Sequence, residues 1–227
     1  RLKHRQKRFR KRAEELAAEM EDDQGTKRCV ELCDRYLAGW HPSGEDLNVG
    51  PYRGAVPLNP VENVQQRKWM YEHALEEEDF RDDLLKRCRQ DILFYIDSFV
   101  WQVDPKQLGL KGKPGPFICW DFQEKAFRTI LDCIDKGEDL VISKSRQMGA
   151  SWMMLIVFDW LWKFQEWNQF LFISRNAMAV EDDNANSLFW KLDFIHRYQP
   201  AWLMPQLDRK KMYFGNEDNK SAIFGEA

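Results

Sequence analysis

The sequence predicts an α/β fold, in which a parallel sheet has helices on both faces and follows an α-helical N-terminal region. Three observations support this fold class. Short apolar stretches at 140–142 and 170–174 have the length and composition of interior parallel strands. Longer stretches with apolar residues at helical spacing lie before, between and after them. A polar loop at 144–151 joins the first strand to a helix, as in strand–helix–strand units.

The composition indicates a folded globular protein. Of the 227 residues, 44% are hydrophobic and 14% are aromatic. The formal net charge is −3, so any contact with DNA has to be local. No signal peptide is visible, and the apolar stretch 152–164 is too short to span a bilayer. We expect a soluble protein without membrane contact, and we interpret both ends of the sequence as cut from a longer chain.

The five cysteines are scattered along the chain, which fits reduced thiols of a cytoplasmic protein better than a disulfide framework. The alternative is a metal site formed by Cys29, Cys33 and His41. Their spacing matches no zinc pattern, and two cysteines one turn apart on an amphipathic helix are more often packing residues. We therefore expect Cys29 and Cys33 to lie in the core.

The chain before residue 116 is predicted to be helical. A basic arm at the N-terminus can bind phosphates, but a solvated terminal helix is the simpler interpretation. An amphipathic helix follows at 27–40. Further helices cover 61–103, are interrupted at 76–79, and end in an apolar stretch at 94–101 that we expect to be buried. The predicted division is 1–60 for the arm and linker, 61–115 for a helical subdomain and 116–227 for the first part of the α/β domain.

Helices and strands alternate downstream of residue 116. The predicted elements are a helix at 117–137, a strand at 140–142, a helix at 152–164, a strand at 170–174, a helix at 177–198 and a hairpin formed by 211–214 and 221–224. Gln123 stands at the head of the first helix. Its amide has the donor and the acceptor that the edge of adenine requires, but a helix cap or a surface residue is the simpler interpretation.

The loop 144–151 has part of a phosphate-binding pattern, which is glycine, four residues, glycine, lysine and then serine or threonine. Gly149 and Ser151 occupy the last glycine and the hydroxyl position, whereas Ala150 replaces the lysine and Lys144 replaces the first glycine. A loop that closes around a phosphate brings both of its ends near the same oxygens, so Lys144 can reach the anion from the strand side. An ordinary glycine-containing turn is the alternative.

Taken together, these segments resemble the large terminase subunit of tailed bacteriophages, the ATPase that pumps DNA into the capsid. The resemblance covers the second half of the chain. It rests on Phe122-Gln123, on Ser145-Arg146-Gln147-Met148-Gly149 with Ser151, on the strand that ends in Ile173-Ser174, and on the hairpin from Met212 to Phe224. Some members of the family place the lysine at the start of the loop, as Lys144 is here. The resemblance implies a P-loop NTPase of the RecA-like ASCE type, incomplete in this chain.

The resemblance also implies the roles of individual residues. Lys144 would neutralise the β- and γ-phosphates of ATP, with Arg146 beside it as the second catalytic cation. Gln123 would contact adenine, Gly149 would allow close approach of the backbone, and Ser151 would bind Mg²⁺. The whole nucleotide-binding set is Phe122, Gln123, Ser145, Gln147, Met148, Gly149, Ala150 and Ser151.

Phosphoryl transfer further needs carboxylates that hold Mg²⁺ and activate water. No apolar strand ending in Asp-Glu follows the loop, and Asp182-Asp183 and Glu217-Asp218 stand in helical and turn contexts. The resemblance places that strand, and an endonuclease domain, beyond Ala227. We therefore expect this chain to bind ATP without completing its hydrolysis.

The resemblance implies a homo-oligomeric ring whose partners are double-stranded DNA, a small terminase subunit and the capsid portal. It also implies that the ring acts in the host cytoplasm and transiently at the procapsid. Two alternatives stay open. A superfamily-2-type helicase or another DNA-dependent ATPase also has Phe-Gln before its P-loop. A non-catalytic assembly module would instead dock through the apolar stretch 94–101 and the basic arm.

Overall fold

The computed structural model describes residues 24–40, 56–103, 114–145 and 148–227. Several predicted features lie outside the described residues: the basic arm, His41, most of the linker before residue 60, the glycine-rich loop at 104–113, and both Arg146 and Gln147. Within the described residues the chain forms eight α-helices and six β-strands.

The first half of the chain is helical, as predicted. It contains α1 (Gln24–Trp40), α2 (Pro60–Glu76), α3 (Glu78–Gln90) and α4 (Ile92–Phe99), followed by a short antiparallel pair of strands, β1 (Trp101–Gln102) and β2 (Gly115–Pro116). The break between α3 and α4, which the sequence did not predict, lies at Asp91. Its carboxylate accepts a hydrogen bond from the backbone N–H of Leu93 at 2.9 Å and so caps α4. All residues of α4 are buried, as expected of the apolar stretch.

Arg67 on α2 connects this helix to the end of α4. The residue is fully buried, and its guanidinium donates hydrogen bonds to the carbonyls of Asp97 at 2.7 Å and Val100 at 2.9 Å. It also donates to the side-chain oxygen of Asn63 at 2.7 Å and lies 5.1 Å from the ring centre of Trp101. Carbonyls at a helix C-terminus lack partners within the helix, so a buried cation both satisfies them and matches the helix dipole.

The second half of the chain combines four helices with a sheet. It contains α5 (Asp121–Lys136), α6 (Ala150–Phe164), β3 (Gln169–Ile173), α7 (Ala177–Val180), α8 (Leu188–Arg197), a 3₁₀ turn (Ala201–Leu203), β4 (Leu207–Lys210), β5 (Tyr213–Asn216) and β6 (Ala222–Glu226). The strand order is β3-β6-β5-β4, in which only β3 and β6 are parallel. The described residues therefore form an α/β fold with a small mixed sheet, without the larger parallel sheet that the sequence predicts.

The predicted strand at 140–142 is wrong. These residues have no regular secondary structure, and they are exposed, Val141 to 92%. A strand is held by backbone hydrogen bonds to a neighbouring strand, and the described strands do not include one that pairs with this segment. The apolar, β-prone composition was therefore not sufficient to place the segment in a sheet.

The predicted helix at 177–198 is also wrong in part, because it is divided into α7 and α8. Between them, the Asp182 carboxylate accepts a hydrogen bond from the N–H of Asp183, and the Asn184 side chain accepts one from the N–H of Asn186, each at 2.9 Å. Such local side-chain bonds compete with the helical backbone bonds. The hairpin prediction is confirmed by β5 and β6, whereas β4 was not predicted.

Helix α6 lies at the centre of the fold, which confirms the buried helix predicted at 152–164. Met153, Ile156 and Val157 belong to the apolar core formed with the N-terminal helices. Leu155 and Trp162 belong to a second core, formed with α8 and the sheet. A helix that is apolar on nearly all of its faces is buried by other elements on those faces. Cys29 and Cys33 are fully buried in the first core, as expected.

Gly225 on β6 is predicted to be a site where even one added methyl group destabilises the fold. A Cβ at this position would lie 2.5 Å from Val180 Cγ1 and 2.6 Å from a ring carbon of Phe189, where α7 and α8 cross the sheet. We expect Gly225→Ala to lower the free energy of unfolding by about 1–3 kcal/mol, measured by urea denaturation. Gly115→Ala is the control, since nothing lies within 4 Å of its Cβ. Equal effects of the two substitutions would contradict the packing described here.

Candidate functional site

The loop predicted to bind phosphate meets α6 at Gly149. This glycine is the N-cap of α6 and has a φ of 78°, in the left-handed region. Glycine adopts this conformation freely, whereas for other residues it costs about 1–2 kcal/mol. The helix that follows is 15 residues long, and its first N–H groups have no partners within the helix. The end of the loop therefore coincides with a region of positive potential, which attracts anions.

Gln123 lies between α5 and this junction. Its side-chain Oε1 accepts a hydrogen bond from the backbone N–H of Trp120 at 3.0 Å, so the helix cap that the sequence suggested is present. Its Nε2 is directed at the loop: a Cβ built on Gly149 would lie 3.3 Å from this atom. Gln123 is only 7% exposed. The residue therefore caps the start of α5 with one end of its amide, and the other end lies beside the start of α6.

A cavity of about 570 Å³ lies beside the loop. This volume is within the range of pockets that hold small ligands, about 300–1,000 Å³. One face of α5, the segment 140–145 and the first turn of α6 form its walls. The residues that line it are Phe122, Lys125, Ala126, Thr129, Ile130, Leu140, Val141, Ile142, Ser143, Lys144, Ser145, Met148, Ala150 and Met153. None of these residues is acidic, and two of them are lysines.

The structure brings most of the predicted site residues together. Phe122, Lys144, Ser145, Met148 and Ala150 line the cavity, Gly149 and Ser151 lie at the start of α6, and Gln123 lies beside Gly149. Arg146 and Gln147 lie outside the described residues. Lys144 is exposed and forms no ion pair with the described part of the chain. Its charge is therefore available to a ligand in the cavity.

Ser151 is the residue predicted to bind a metal ion. It is exposed on the first turn of α6, and its hydroxyl is an oxygen ligand of the kind that Mg²⁺ accepts. The described residues contain no group of three or more His, Cys, Asp and Glu side chains that could hold a metal ion.

Sequence reasoning missed a second cluster of titratable groups, which lies inside the fold. Asp159 Oδ1 is 2.5 Å from Lys163 Nζ and 2.6 Å from His196 Nε2, and Asp159 Oδ2 accepts a hydrogen bond from the Tyr95 hydroxyl. The side chains of Asp159, Lys163 and His196 are at most 1% exposed. The sequence signal was the spacing of Asp159 and Lys163, one turn apart in an otherwise apolar helix. Because solvent does not reach the cluster, we interpret it as structural.

Burial and charge pairing shift the pKa values in this cluster. Burial acts to raise the pKa of Asp159, but the charges and hydrogen bonds of Lys163 and His196 outweigh it and hold this pKa below its usual range. Burial lowers the pKa of Lys163 despite the opposing charge of Asp159. Burial, with the positive charge of Lys163, also lowers the pKa of His196. All three groups therefore bind protons less readily in the folded state than in the unfolded state.

In comparisons with known proteins, no family model, no curated protein and no solved structure matches this chain. Among the helices that the structure describes, none is long and apolar enough to cross a membrane.

The buried cluster predicts that the protein loses stability as the pH falls. Below about pH 6.5, where a solvated histidine becomes protonated, the unfolded chain protonates His196 more readily than the folded chain does. Below about pH 3.8 the same holds for Asp159. The free energy of unfolding rises with pH wherever the unfolded state binds more protons, so the contribution of the cluster should decrease from pH 7 to pH 5 through His196 and again below about pH 4 through Asp159. Urea denaturation at several pH values measures this decrease.

The variant His196→Gln tests whether His196 causes the pH dependence between pH 7 and pH 5. Glutamine does not titrate, so the free energy of unfolding of the variant, measured by urea denaturation, should change less over this pH range than that of the wild type. An unchanged slope would contradict the assignment to His196.

Proposed function

We propose that this chain binds ATP with Mg²⁺ where the loop meets α6, as the ATP-binding part of a DNA-packaging motor of the large terminase type. The observation that carries the proposal is the position of Gly149. This left-handed glycine stands at the N-terminus of a long buried helix and beside a cavity that Lys144 lines. A helix N-terminus preceded by such a glycine is a common site for phosphate groups.

The phosphate end of the proposed site is formed by three kinds of groups. The free N–H groups at the start of α6 donate to the phosphate oxygens, and Lys144 supplies a positive charge from the other end of the loop. Ser151 contributes one oxygen ligand to Mg²⁺. The bound ion would reduce the repulsion between phosphate charges, while the chain's own residues hold the triphosphate in place.

The nucleoside end occupies the cavity between α5 and the segment 140–145. Phe122, at the head of α5, is 47% exposed and is one of the residues that line the cavity. The apolar side chains of Leu140 and Ile142 line the cavity as well. Contacts of this kind hold a planar base through surface burial and stacking.

The proposal separates binding from hydrolysis. The described residues that line the cavity include no carboxylate that could activate water or complete a Mg²⁺ site. The chain would therefore bind ATP, and hydrolysis would require acidic groups from elsewhere in a longer polypeptide. The remaining parts of the proposal rest on the sequence resemblance: an endonuclease in the same polypeptide, duplex DNA as the translocated substrate, and a ring that contacts a small terminase subunit and the portal in the host cytoplasm.

The alternative functions differ in how they use the helical region. An assembly module would need the apolar stretch 94–101 to be accessible, yet α4 is buried and Val100 and Trp101 are fully buried. This burial favours packing within the chain over docking. A helicase-type ATPase would use the same nucleotide site, so the described residues do not distinguish it from the terminase proposal. A second RecA-like domain with arginine fingers would mark a helicase, whereas a strand ending in Asp-Glu and a nuclease domain would mark a terminase.

Lys144→Ala is predicted to weaken ATP binding. Loss of one charged hydrogen bond to phosphate should raise the dissociation constant about tenfold to a hundredfold, as measured by isothermal titration calorimetry with Mg²⁺ present. Lys86→Ala is the control, since Lys86 is an exposed lysine on α3 outside the cavity lining. Equal ATP affinities of Lys144→Ala and the wild type would show that Lys144 is not the phosphate-binding lysine.

Gly149→Ala tests the junction itself. Gly149 and Gly137 both have positive φ, 78° and 67°, so alanine at either position should lower the free energy of unfolding by about 1–2 kcal/mol. Only at Gly149 does the added Cβ press on Gln123, because nothing lies within 4 Å of a Cβ at Gly137. We therefore expect Gly149→Ala to weaken ATP binding and Gly137→Ala to leave it unchanged, in titrations matched to denaturation curves. Similar losses of affinity in both variants would point to general destabilisation instead.

A further inference from the structure

Strand β3 has one side that no described strand covers. It pairs with β6 on its other side, where the N–H of Ser174 donates to the carbonyl of Glu226 at 3.2 Å. Backbone N–H and C=O groups alternate in direction along a strand, so the even-numbered residues of this segment direct theirs at β6. The backbone groups directed at the open side are therefore those of Gln169, Leu171 and Ile173.

The outer face of β3 is apolar and exposed. On the inner face, the rings of Phe170 and Phe172 lie 4.7 and 5.0 Å from the ring of Phe158 on α6. Side chains alternate between the two faces of a sheet, so Leu171 and Ile173 lie on the outer face, where they are 50% and 68% exposed. An apolar strand with a free edge is a template on which another strand can pair.

The opposite edge of the same sheet is protected against such pairing. Strand β4 includes Asp208, Arg209 and Lys210 among its four residues, and Asp208 and Lys210 form an ion pair. Charged side chains on an edge strand oppose the addition of another strand. The sequence of β3, Gln169–Ile173, contains neither a charged residue nor a proline. The two edges of the sheet therefore differ, and the edge at β3 is the one suited to pairing.

We propose that β3 is a site of self-association, at which β3 of a second copy of this chain pairs antiparallel across a twofold axis at Leu171. In this register Leu171 faces the partner's Leu171, and Gln169 faces the partner's Ile173. The backbone groups of these residues are all directed at the open side, so the three facing pairs exchange about six hydrogen bonds. This inference does not rest on the nucleotide-binding function proposed above.

The charges next to β3 favour the antiparallel orientation of a second copy. The strand itself is neutral, so pairing places no like charges opposite each other. Glu166 precedes the strand and Arg175 follows it, and both are exposed. An antiparallel copy brings the Arg175 of each chain to the end of the strand where the other chain has Glu166, whereas a parallel copy would bring like charges together.

The first test is the association state of the wild-type protein. A contact of five residues on each strand is smaller than a standard interface, so we expect a weak dimer with a dissociation constant of about 1–100 µM. Sedimentation equilibrium at chain concentrations from about 1 to about 500 µM covers this range. A protein that stays monomeric throughout would overturn the inference, and the proposed nucleotide site would be unaffected.

The second test uses Leu171→Lys and Leu171→Glu, each of which places two like charges at the twofold axis. Either variant alone should raise the dissociation constant of the dimer at least about tenfold. An equal mixture of the two variants pairs lysine with glutamate and should restore the dimer, which is specific to a contact in which residue 171 faces its own copy. Leu58→Lys is the matched control, because Leu58 is also exposed, to 60%, but lies outside the sheet, before α2. Wild-type association of Leu171→Lys, or a mixture that stays monomeric, would overturn the inference.

Hydrogen exchange on the wild-type protein tests the same contact without a substitution, and it decides the question if the variants do not fold. Peptides that cover 169–173 should exchange more slowly as the chain concentration rises, whereas peptides that cover 207–210 on β4 should exchange at one rate. Protection of 169–173 that does not depend on concentration would mean that the chain itself covers this edge, and would overturn the inference. Exchange of 169–173 at one fast rate while the protein dimerises would overturn it as well, because another surface would then form the dimer.

Discussion

The arrangement of the helices around α6 depends on how the buried carboxylate of Asp159 is satisfied. A charge without solvent is tolerated only when it is paired and hydrogen-bonded, and here Lys163, His196 and Tyr95 provide the pairing from α6, α8 and α4. Removing one partner from such a cluster typically costs about 3–5 kcal/mol, because it leaves a buried group uncompensated. The apolar contacts drive burial of α6, and the ionic cluster links this helix to α4 and α8. The candidate site lies at the N-terminus of the same helix.

A second buried ionic cluster does the same for the sheet. Arg209 on β4 lies 2.6 Å from Glu181 and 3.1 Å from Asp193, and all three side chains are at most 6% exposed. Asp193 belongs to α8, the helix that also contributes His196 to the Asp159 cluster. Helix α8 is therefore held by paired charges on both of its neighbours, α6 and the sheet. Arg67 plays a comparable part in the first half of the chain, with carbonyl oxygens in place of carboxylates.

Local patterns in the sequence predicted the helices at 27–40, 117–137 and 152–164, the strand at 170–174 and the hairpin, because apolar periodicity and turn residues act over short distances. Features that depend on distant partners were not predictable in this way. The segment 140–142 has the composition of a strand without a partner among the described strands, and β4 is a strand that takes its place by pairing with β5.

The part of the candidate site that follows a sequence motif, Gly149 and Ser151, was predictable from the sequence. The engagement of Gln123 with Trp120 and the buried ionic partners of Asp159 are three-dimensional facts that the sequence does not encode locally.

The two ends of the candidate site differ in how firmly they are held. In the proposed nucleotide site the phosphate end would be the start of α6, a helix anchored on several sides, and a preorganised anion site loses little entropy when it binds. The nucleoside end is formed partly by the segment 140–145, which is exposed and lacks strand pairing within the described residues. If the site binds a nucleotide as proposed, the triphosphate would contribute most to the affinity, because only its end of the site is held firmly. The loop departs from the usual pattern only in the position of its lysine. The N-terminus of α6 and Gly149 provide the backbone part of the proposed phosphate site, which no side chain can replace.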